Sequence, residues 1–413
     1  MPDNKIKVVH VNTFQTGGAG IASIRLHKYL LQIGIDSHYI CSDLSIDTIP
    51  NCTKLSFPKY SLIQKLAYKT GLPLSPEQIR EKYITKFTIN AELFSTPFSE
   101  FGLENNNQIA EADIIHLHWV SNFIDYEKFF SSIKKPVVWT FHDMNPFLGC
   151  FHYQTDAQKN PQVEHISKRY EEIKRAAISK FLYPLHIIAP SNWMKENVLK
   201  TKVFENRPIS VIPNGISSKE FHYEDKLRAR EVLGIDHRSL MLITLSENVT
   251  NERKAFEKIL ELAQSDELPE NVIIYAIGQQ QSIIKNKKIK YTGLINDTNH
   301  LNLLLSSADF MLMPSKDDNL PNVIVEALLS GTPVIANNRG GMVEMIHSSK
   351  NGYIVNDFKI HDVVKILQVY QEKKIPFNRY DVYLKAFEKY DIKITTDKHL
   401  EIYSKLLTAD AKL

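Results

Sequence analysis

The chain has 413 residues, 43% hydrophobic and 23% charged, with 50 Lys plus Arg against 47 Asp plus Glu. That balance excludes wholesale disorder and suits a folded protein of two domains. A net charge of +3 is too small to attract a polyanion in bulk, so no nucleic-acid partner is expected.

Three cysteines, Cys41, Cys52 and Cys150, cannot build a disulfide framework, which favours a reducing compartment. The polar start reads as no signal peptide, and no apolar run approaches the roughly 20 residues that span a bilayer. A cytoplasmic protein is the expectation.

Short runs rich in Ile and Val recur along the chain. In the first half they cover residues 8–12, 38–41, 114–119, 137–141, 186–190 and 209–213. In the second half they cover 240–245, 272–277, 289–292, 310–313, 334–336 and 353–355. Most are too short for helices, and continuous apolar character suits strands buried on both faces of a parallel sheet. Stretches 22–33, 170–177, 256–264, 322–329 and 361–370 carry helical periodicity between them. Alternation of strand and helix predicts α/β architecture with two Rossmann-like, doubly wound parallel-sheet domains, one per half.

The turn Pro213-Asn214-Gly215 marks the joint. It divides an N-terminal domain, 1–216, from a C-terminal domain, 217–390, with a final segment 391–413 to follow. Ligands of open α/β sheets sit at the carboxyl ends of strands, so two such domains facing each other would form a cleft there. The stretch 50–99 breaks the rhythm. It is aromatic and dotted with Lys54, Lys59, Lys65, Lys69, Lys82 and Lys86, which reads as a solvated helical cover or as a peripheral contact with a membrane or an acceptor.

Four places carry chemistry. Thr16-Gly17-Gly18-Ala19-Gly20 follows the first strand, where glycines let backbone amides approach an anion at a helix start. Its spacing is not G-x-G-x-x-G, so a dinucleotide-dependent oxidoreductase using these glycines and Asp43 lacks its fingerprint. Trp139-Thr140-Phe141-His142-Asp143 ends another strand, and His142 there could donate to a substrate hydroxyl. His116 and His118 alternate onto one strand face. With Asp143, Cys150 and His152 nearby they raise a metal site, but no close pair-of-pairs spacing supports one, and no metal is expected.

Asn251-Glu252-Arg253-Lys254 follows the strand 240–245. A guanidinium beside an ammonium suits a diphosphate. The fourth place runs from Met313 through Asp318-Asn319-Leu320-Pro321-Asn322 to Glu326-Ala327. Pro321 stands where a first helical position is expected, which puts Asp318 on a loop and Glu326 on the second helical turn. Amides of Asn319, Leu320 and Asn322 suit a phosphate, and the two acids suit sugar and ribose hydroxyls.

The Asp318–Glu326 pair, with Gly331-Thr332-Pro333-Val334 after it, resembles the two-acid signature of family 4 (group 1) glycosyltransferases. The resemblance extends through Gly17-Gly18-Ala19-Gly20, Ile115-His116-Leu117-His118-Trp119, Trp139 to Met144, Pro190-Ser191, Pro213-Asn214-Gly215, Arg253-Lys254, Gly340 to Glu344 and Asn351-Gly352-Tyr353. It implies the GT-B fold, with a donor site between two Rossmann-like domains and a last helix crossing back onto the first. It also implies that Arg253 and Lys254 hold the donor diphosphate, Glu326 the ribose, and Asp318 the donor sugar. Amides from Asn319 to Asn322 would help with the phosphate, Gly17 and Gly18 would lie by the sugar-phosphate, and His142 would touch the sugar near the reacting carbon. The sequence departs from the family twice, with Asp318 for the commoner Glu and Ala255 where Gly is usual.

The implied activity is a retaining, metal-independent hexosyltransferase. It would take a UDP or GDP sugar as donor substrate and a glycan or lipid-linked acceptor, in bacterial cell-surface polysaccharide synthesis. Two rivals remain: a non-catalytic sugar-nucleotide-binding protein of the same fold, and a sugar hydrolase using Asp318 and Glu326 as its acid pair.

Overall fold

The computed structural model describes residues 6–42, 49–57, 66, 75–248, 251–279, 285–372 and 377–410. The chain divides into two compact units. The first comprises Met1–Ile212 with Thr396–Leu413, and the second Pro213–Thr395.

The first unit is built on a seven-stranded sheet of order β3-β2-β1-β4-β5-β6-β7. Its strands are β1 (Lys7–Val11), β2 (Asp36–Ser42), β3 (Cys52–Leu55), β4 (Ile114–Leu117), β5 (Val137–Thr140), β6 (Leu185–Ala189) and β7 (Ile209–Val211). Every pairing is parallel. Strands β4 and β5 are buried throughout, as their unbroken apolar runs require. One layer packs Val9, Leu117, Trp139 and Ile187 against Phe129 and Phe141. Another sets Val8, Ile114, Val138 and Ile188 against Leu26, Leu30, Ile402, Tyr403 and Leu406. The last three come from the helix Ile392–Asp410, whose apolar face, joined by Leu400 and Leu407, packs into this layer.

The second unit has a six-stranded sheet of order β10-β9-β8-β11-β12-β13. Its strands are β8 (Leu240–Asn248), β9 (Val272–Gln279), β10 (Ile289–Gly293), β11 (Phe310–Met313), β12 (Val334–Asn337) and β13 (Gly352–Val355). These too pair only in parallel. The predicted α/β class with two doubly wound parallel sheets is what forms. In each sheet the strand order reverses once, between β1 and β4 and between β8 and β11, and such switch points are where open α/β sheets bind ligands.

Within 50–99 the described residues form β3 and a helix, Pro76–Phe87. Ser75 and Gln78 close a capping box at its start. Tyr83, Ile84 and Phe87 pack on Phe94, Phe151 and Tyr170, so this helix covers the first unit's flank. Lys59, Lys65 and Lys69, like Asp43, lie outside the described residues. No helix among the described residues is long and apolar enough to cross a membrane.

Candidate functional site

In the second unit the loops after β8 and β11 leave the sheet on either side of its switch point. The first makes a short turn, Glu252–Lys254, capped by Asn251, whose Oδ1 accepts from the Arg253 amide at 2.9 Å. The turn ends at Ala255 with φ of 53°, a left-handed conformation. That is why glycine suits this position, and a side chain here carries a strain of about 1–2 kcal/mol.

The turn delivers both cations to the second loop. Lys254 Nζ lies 2.6 Å from Asp318 Oδ2 and Arg253 Nη1 lies 3.2 Å from the same atom. Arg253 Nη1 also donates to the Asp317 carbonyl at 3.0 Å, and the Arg253 carbonyl accepts from the Lys316 amide at 2.8 Å. Burial acts to raise the Asp318 carboxyl, but Lys254 and Arg253 together hold it below the usual carboxylate range. A small cavity beside Lys254 is lined by Thr244, Ser246, Met313 and Ser315.

A third segment clamps the backbone. The Gly341 amide donates to the Asp318 carbonyl at 2.9 Å. Gly340 has φ of +58°, and a Cβ there would fall 2.0 Å from the same oxygen. Asn337, at the end of β12, donates to the Ser315 carbonyl at 3.1 Å. Residue spacing alone did not reveal the work of Asn337, Gly340 and Gly341; the Gly-Gly pair was the available signal.

The helix Asn322–Leu329 spans the stretch that its periodicity marks, but Pro321 stands just before it rather than as its first residue. Pro321, at φ −66° and ψ 119°, is its N-cap, and it contributes no side-chain cap. The anion that a helix start favours is therefore not supplied by an N-cap side chain. Asn322 Oδ1 accepts from Asn214 Nδ2 at 2.8 Å, tying the Pro213-Asn214-Gly215 turn to this helix. Glu326 is buried on the second turn. The sequence-predicted residues Arg253, Lys254 and Asp318 thus form one hydrogen-bonded cluster. Asn319, Leu320, Asn322 and Glu326 continue from it along the same loop and helix.

Gly17, Gly18 and His142 belong to the first unit. Gly17, at φ +74°, opens the helix Gly17–Gln32, so the glycine run forms the first turn rather than a loop before it. Gly20 has a packing reason, since a Cβ there would meet the Gln15 carbonyl at 2.6 Å. His142 follows β5, and its Nε2 is 3.2 Å from His118 Nδ1. Burial pushes the His142 ring down to about 4, against the pull of Asp143, so it is neutral at pH 7.

Asp143 is taken up internally. It accepts from Trp119 Nε1 at 2.5 Å, His152 Nδ1 at 2.6 Å and the Asn145 amide at 2.9 Å. Burial works against its charge, yet His152 and these donors hold its carboxyl below the ordinary value. Lys174, buried beneath the same loop, donates to the carbonyls of Asn145 and Gly149. His10, His116 and His118 each place a ring nitrogen within 4.8 Å of the others. Sequence spacing showed only the alternation of His116 and His118, whose rings stack at 4.1 Å.

Residues 16–220 match the family described as Glycosyltransferase Family 4, and residues 243–371 match that described as Glycosyl transferases group 1. The chain belongs to the group 1 (family 4) glycosyltransferases. An uncharacterized glycosyltransferase of Methanocaldococcus jannaschii is 26% identical over 58% of this chain and 61% of its own length. A capsular polysaccharide biosynthesis glycosyltransferase of Staphylococcus aureus is 22% identical over 79% of this chain and 86% of its own. Among solved structures, Anabaena HepE in complex with UDP superposes with a TM-score of 0.66 at 16% identity, covering 97% of this chain and all of that one. That structural likeness establishes the GT-B fold.

Proposed function

We propose that this glycosyltransferase moves a hexose from a nucleoside-diphosphate sugar to a glycan or lipid-linked acceptor, with retention of configuration and without a metal ion. The observation that carries this reading is the convergence of Lys254, Arg253 and Asp318 at the switch point of the second sheet. In that reading the two cations take the donor diphosphate and the amides from Asn319 to Asn322 assist. Glu326 takes the ribose hydroxyls. With Asp318 Oδ2 committed to the cations, Oδ1 is the atom we assign to the donor sugar. Gly17 and Gly18 keep their role by the sugar-phosphate, and His142 its role against the sugar.

The chemistry follows from where charge develops. The bond between the anomeric carbon and the phosphate oxygen breaks, and its electron pair stays on the diphosphate. The acceptor hydroxyl attacks on the same face and gives its proton to the departing phosphate. Fixed cations stabilise that leaving charge more than the bound donor, which lowers the barrier. No protein nucleophile is required.

UDP sugars are our first choice of donor, because a structural neighbour binds UDP, with GDP sugars second. The S. aureus relative supports a cell-surface polysaccharide as the setting. A thermal-shift panel of UDP, GDP and ADP sugars tests donor binding, since a ligand stabilises the fold it binds by mass action. Nucleotide release measured with and without acceptor then tests turnover. A shift without release supports a binding protein, release without sugar transfer a hydrolase, and no shift with any nucleotide overturns the donor site.

A further inference from the structure

A run of buried imidazoles leads to His142. His10 lies on β1, His118 just past β4 and His142 just past β5. His10 Nδ1 is 3.0 Å from His118 Nε2, and His118 Nδ1 is 3.2 Å from His142 Nε2. Ring centroids along the run are 5.3 and 5.5 Å apart, with planes inclined by 25° and 26°.

Two histidines beside the run, His116 and His27, are satisfied separately. His116 is hydrogen-bonded to Tyr403 Oη at 2.7 Å and to Thr140 Oγ1 at 2.8 Å. His27 Nε2 donates to the Pro50 carbonyl at 2.8 Å, and its Nδ1 meets Ser37 Oγ at 2.7 Å.

Burial drives the rings of His10, His118 and His142 well below their ordinary value. Each is therefore neutral at pH 7, with one nitrogen donating and the other accepting. In such a run, one ring's tautomer dictates the next. The far end decides the direction, because His10 Nε2 is buried without a hydrogen-bond partner among the described residues. A proton on that nitrogen would be an orphaned buried donor, a rarer condition in folded proteins than an under-satisfied acceptor. The proton therefore belongs on His10 Nδ1, from which it is donated to His118 Nε2. His118 must then donate from Nδ1 to His142 Nε2.

We propose that His10 and His118 are positioning residues that lock His142 in its Nδ1–H tautomer. His142 then carries its proton at Nδ1, and its Nε2 accepts from His118. Which ring nitrogen of a histidine carries the proton is commonly set by the hydrogen bond that the other makes. The catalytic consequence rests on the reading of His142 as the residue against the donor sugar: an Nδ1–H can donate to a sugar or phosphate oxygen without any change of protonation. The tautomer itself does not depend on that reading.

Long-range proton–nitrogen correlation spectra of the nitrogen-15-labelled protein at pH 7 test the proposal directly. Signals are assigned by their loss in His10→Asn and His142→Asn. His10, His118 and His142 are each expected to show a protonated Nδ1 and an unprotonated Nε2. A protonated Nε2 on His142 overturns the proposal. So does stoichiometric zinc binding that shifts His10 and His118 together, because a metal would take the lone pairs that the run uses.

Two substitutions at His118 give the kinetic readout. His118→Asn places an amide donor near the lost Nδ1, and should keep the His142 tautomer and kcat within about threefold. His118→Leu removes the donor, and should mix the His142 tautomers and lower kcat roughly tenfold at unchanged donor KM. Equal losses in both variants, with native circular dichroism, overturn the proposal. An Nδ1–H tautomer in a protein that transfers no sugar would support the run and refute only the proposed activity.

Discussion

Lys254 Nζ and Asp318 Oδ2 are 2.6 Å apart, and Arg253 shares that oxygen. Two cations side by side repel unless an anion lies between them, and Asp318 is that anion. The arrangement pre-aligns both positive groups before a diphosphate arrives, so little reorganisation is left for the reaction. Lys254→Ala and Asp318→Asn should each lower the transfer rate by roughly 100-fold, in the range seen when one preorganised electrostatic group is lost. Initial rates with a saturating UDP sugar measure this. Near wild-type turnover in both variants would remove the cluster from the chemistry.

Glu326 is assigned to the ribose, which does not change during transfer. Its contribution is uniform binding, felt equally before and during reaction. Glu326→Ala should raise the donor KM about tenfold or more while kcat changes little. A kcat collapse at constant KM would move Glu326 from the nucleotide to the reacting centre.

Gly340 holds the Asp318 loop from behind. A Cβ at 2.0 Å from the Asp318 carbonyl cannot be accommodated, and φ of +58° adds strain for any other residue. Gly340→Ala should cost about 2 kcal/mol or more in urea unfolding and shift Asp318 off its two cations. Donor affinity should fall with it. Wild-type stability and affinity would mean that the loop yields more easily than its contacts imply.

How far the sequence alone reached follows from the kind of signal each feature leaves. Strands such as β4 and β5 are buried on both faces, so their apolar runs are continuous and easily read. Strand β3 was missed because, at the sheet's edge, none of its four residues is fully buried. The helix Gly17–Gln32 begins five residues before its apolar rhythm, since glycine's poor helix propensity disguises a first turn. Arg253, Lys254 and Asp318 were legible as residue types at strand ends, but their shared oxygen was not. The contact of His10 with His118 spans 108 positions, and only the register of β1 against β4 creates it.

Asp309, just before β11, anchors the strand that delivers the Asp318 loop. It accepts from Arg230 at 2.7 Å, Lys226 at 2.8 Å, the Met241 amide at 2.8 Å and Tyr370 at 3.0 Å. Arg230 is almost fully buried, so removing its anion would leave a charge stranded in the core. Asp309→Ala should destabilise the protein by about 3–5 kcal/mol, the usual cost of breaking a buried pair on one side. Urea unfolding followed by fluorescence measures it, and a cost below about 1 kcal/mol would show that Arg230 finds other company.

The buried histidines also give the fold a defined acid weakness. The rings of His27 and His142 are pushed down to about 4 by burial, and those of His10, His116 and His118 lie well below their ordinary value for the same reason. Above the ordinary value of about 6.5 each ring is neutral whether folded or not, and stability does not depend on it. As pH falls from about 6.5, the unfolded chain takes up protons that the folded chain refuses, so stability falls with pH. Each ring contributes a slope of about 1.4 kcal/mol per pH unit. His27 and His142 stop contributing near pH 4, where they protonate in the folded state too. Asp143, Asp309 and Asp318 have carboxyls held below their ordinary value, so their stabilisation is present above about pH 3.8 and is lost only below it. Urea midpoints should therefore drop steeply between pH 6.5 and 4.5, before the carboxylates titrate. His116→Gln should flatten that slope by about 1.4 kcal/mol per pH unit, while a pH-independent midpoint across this window would mean that the rings are solvated.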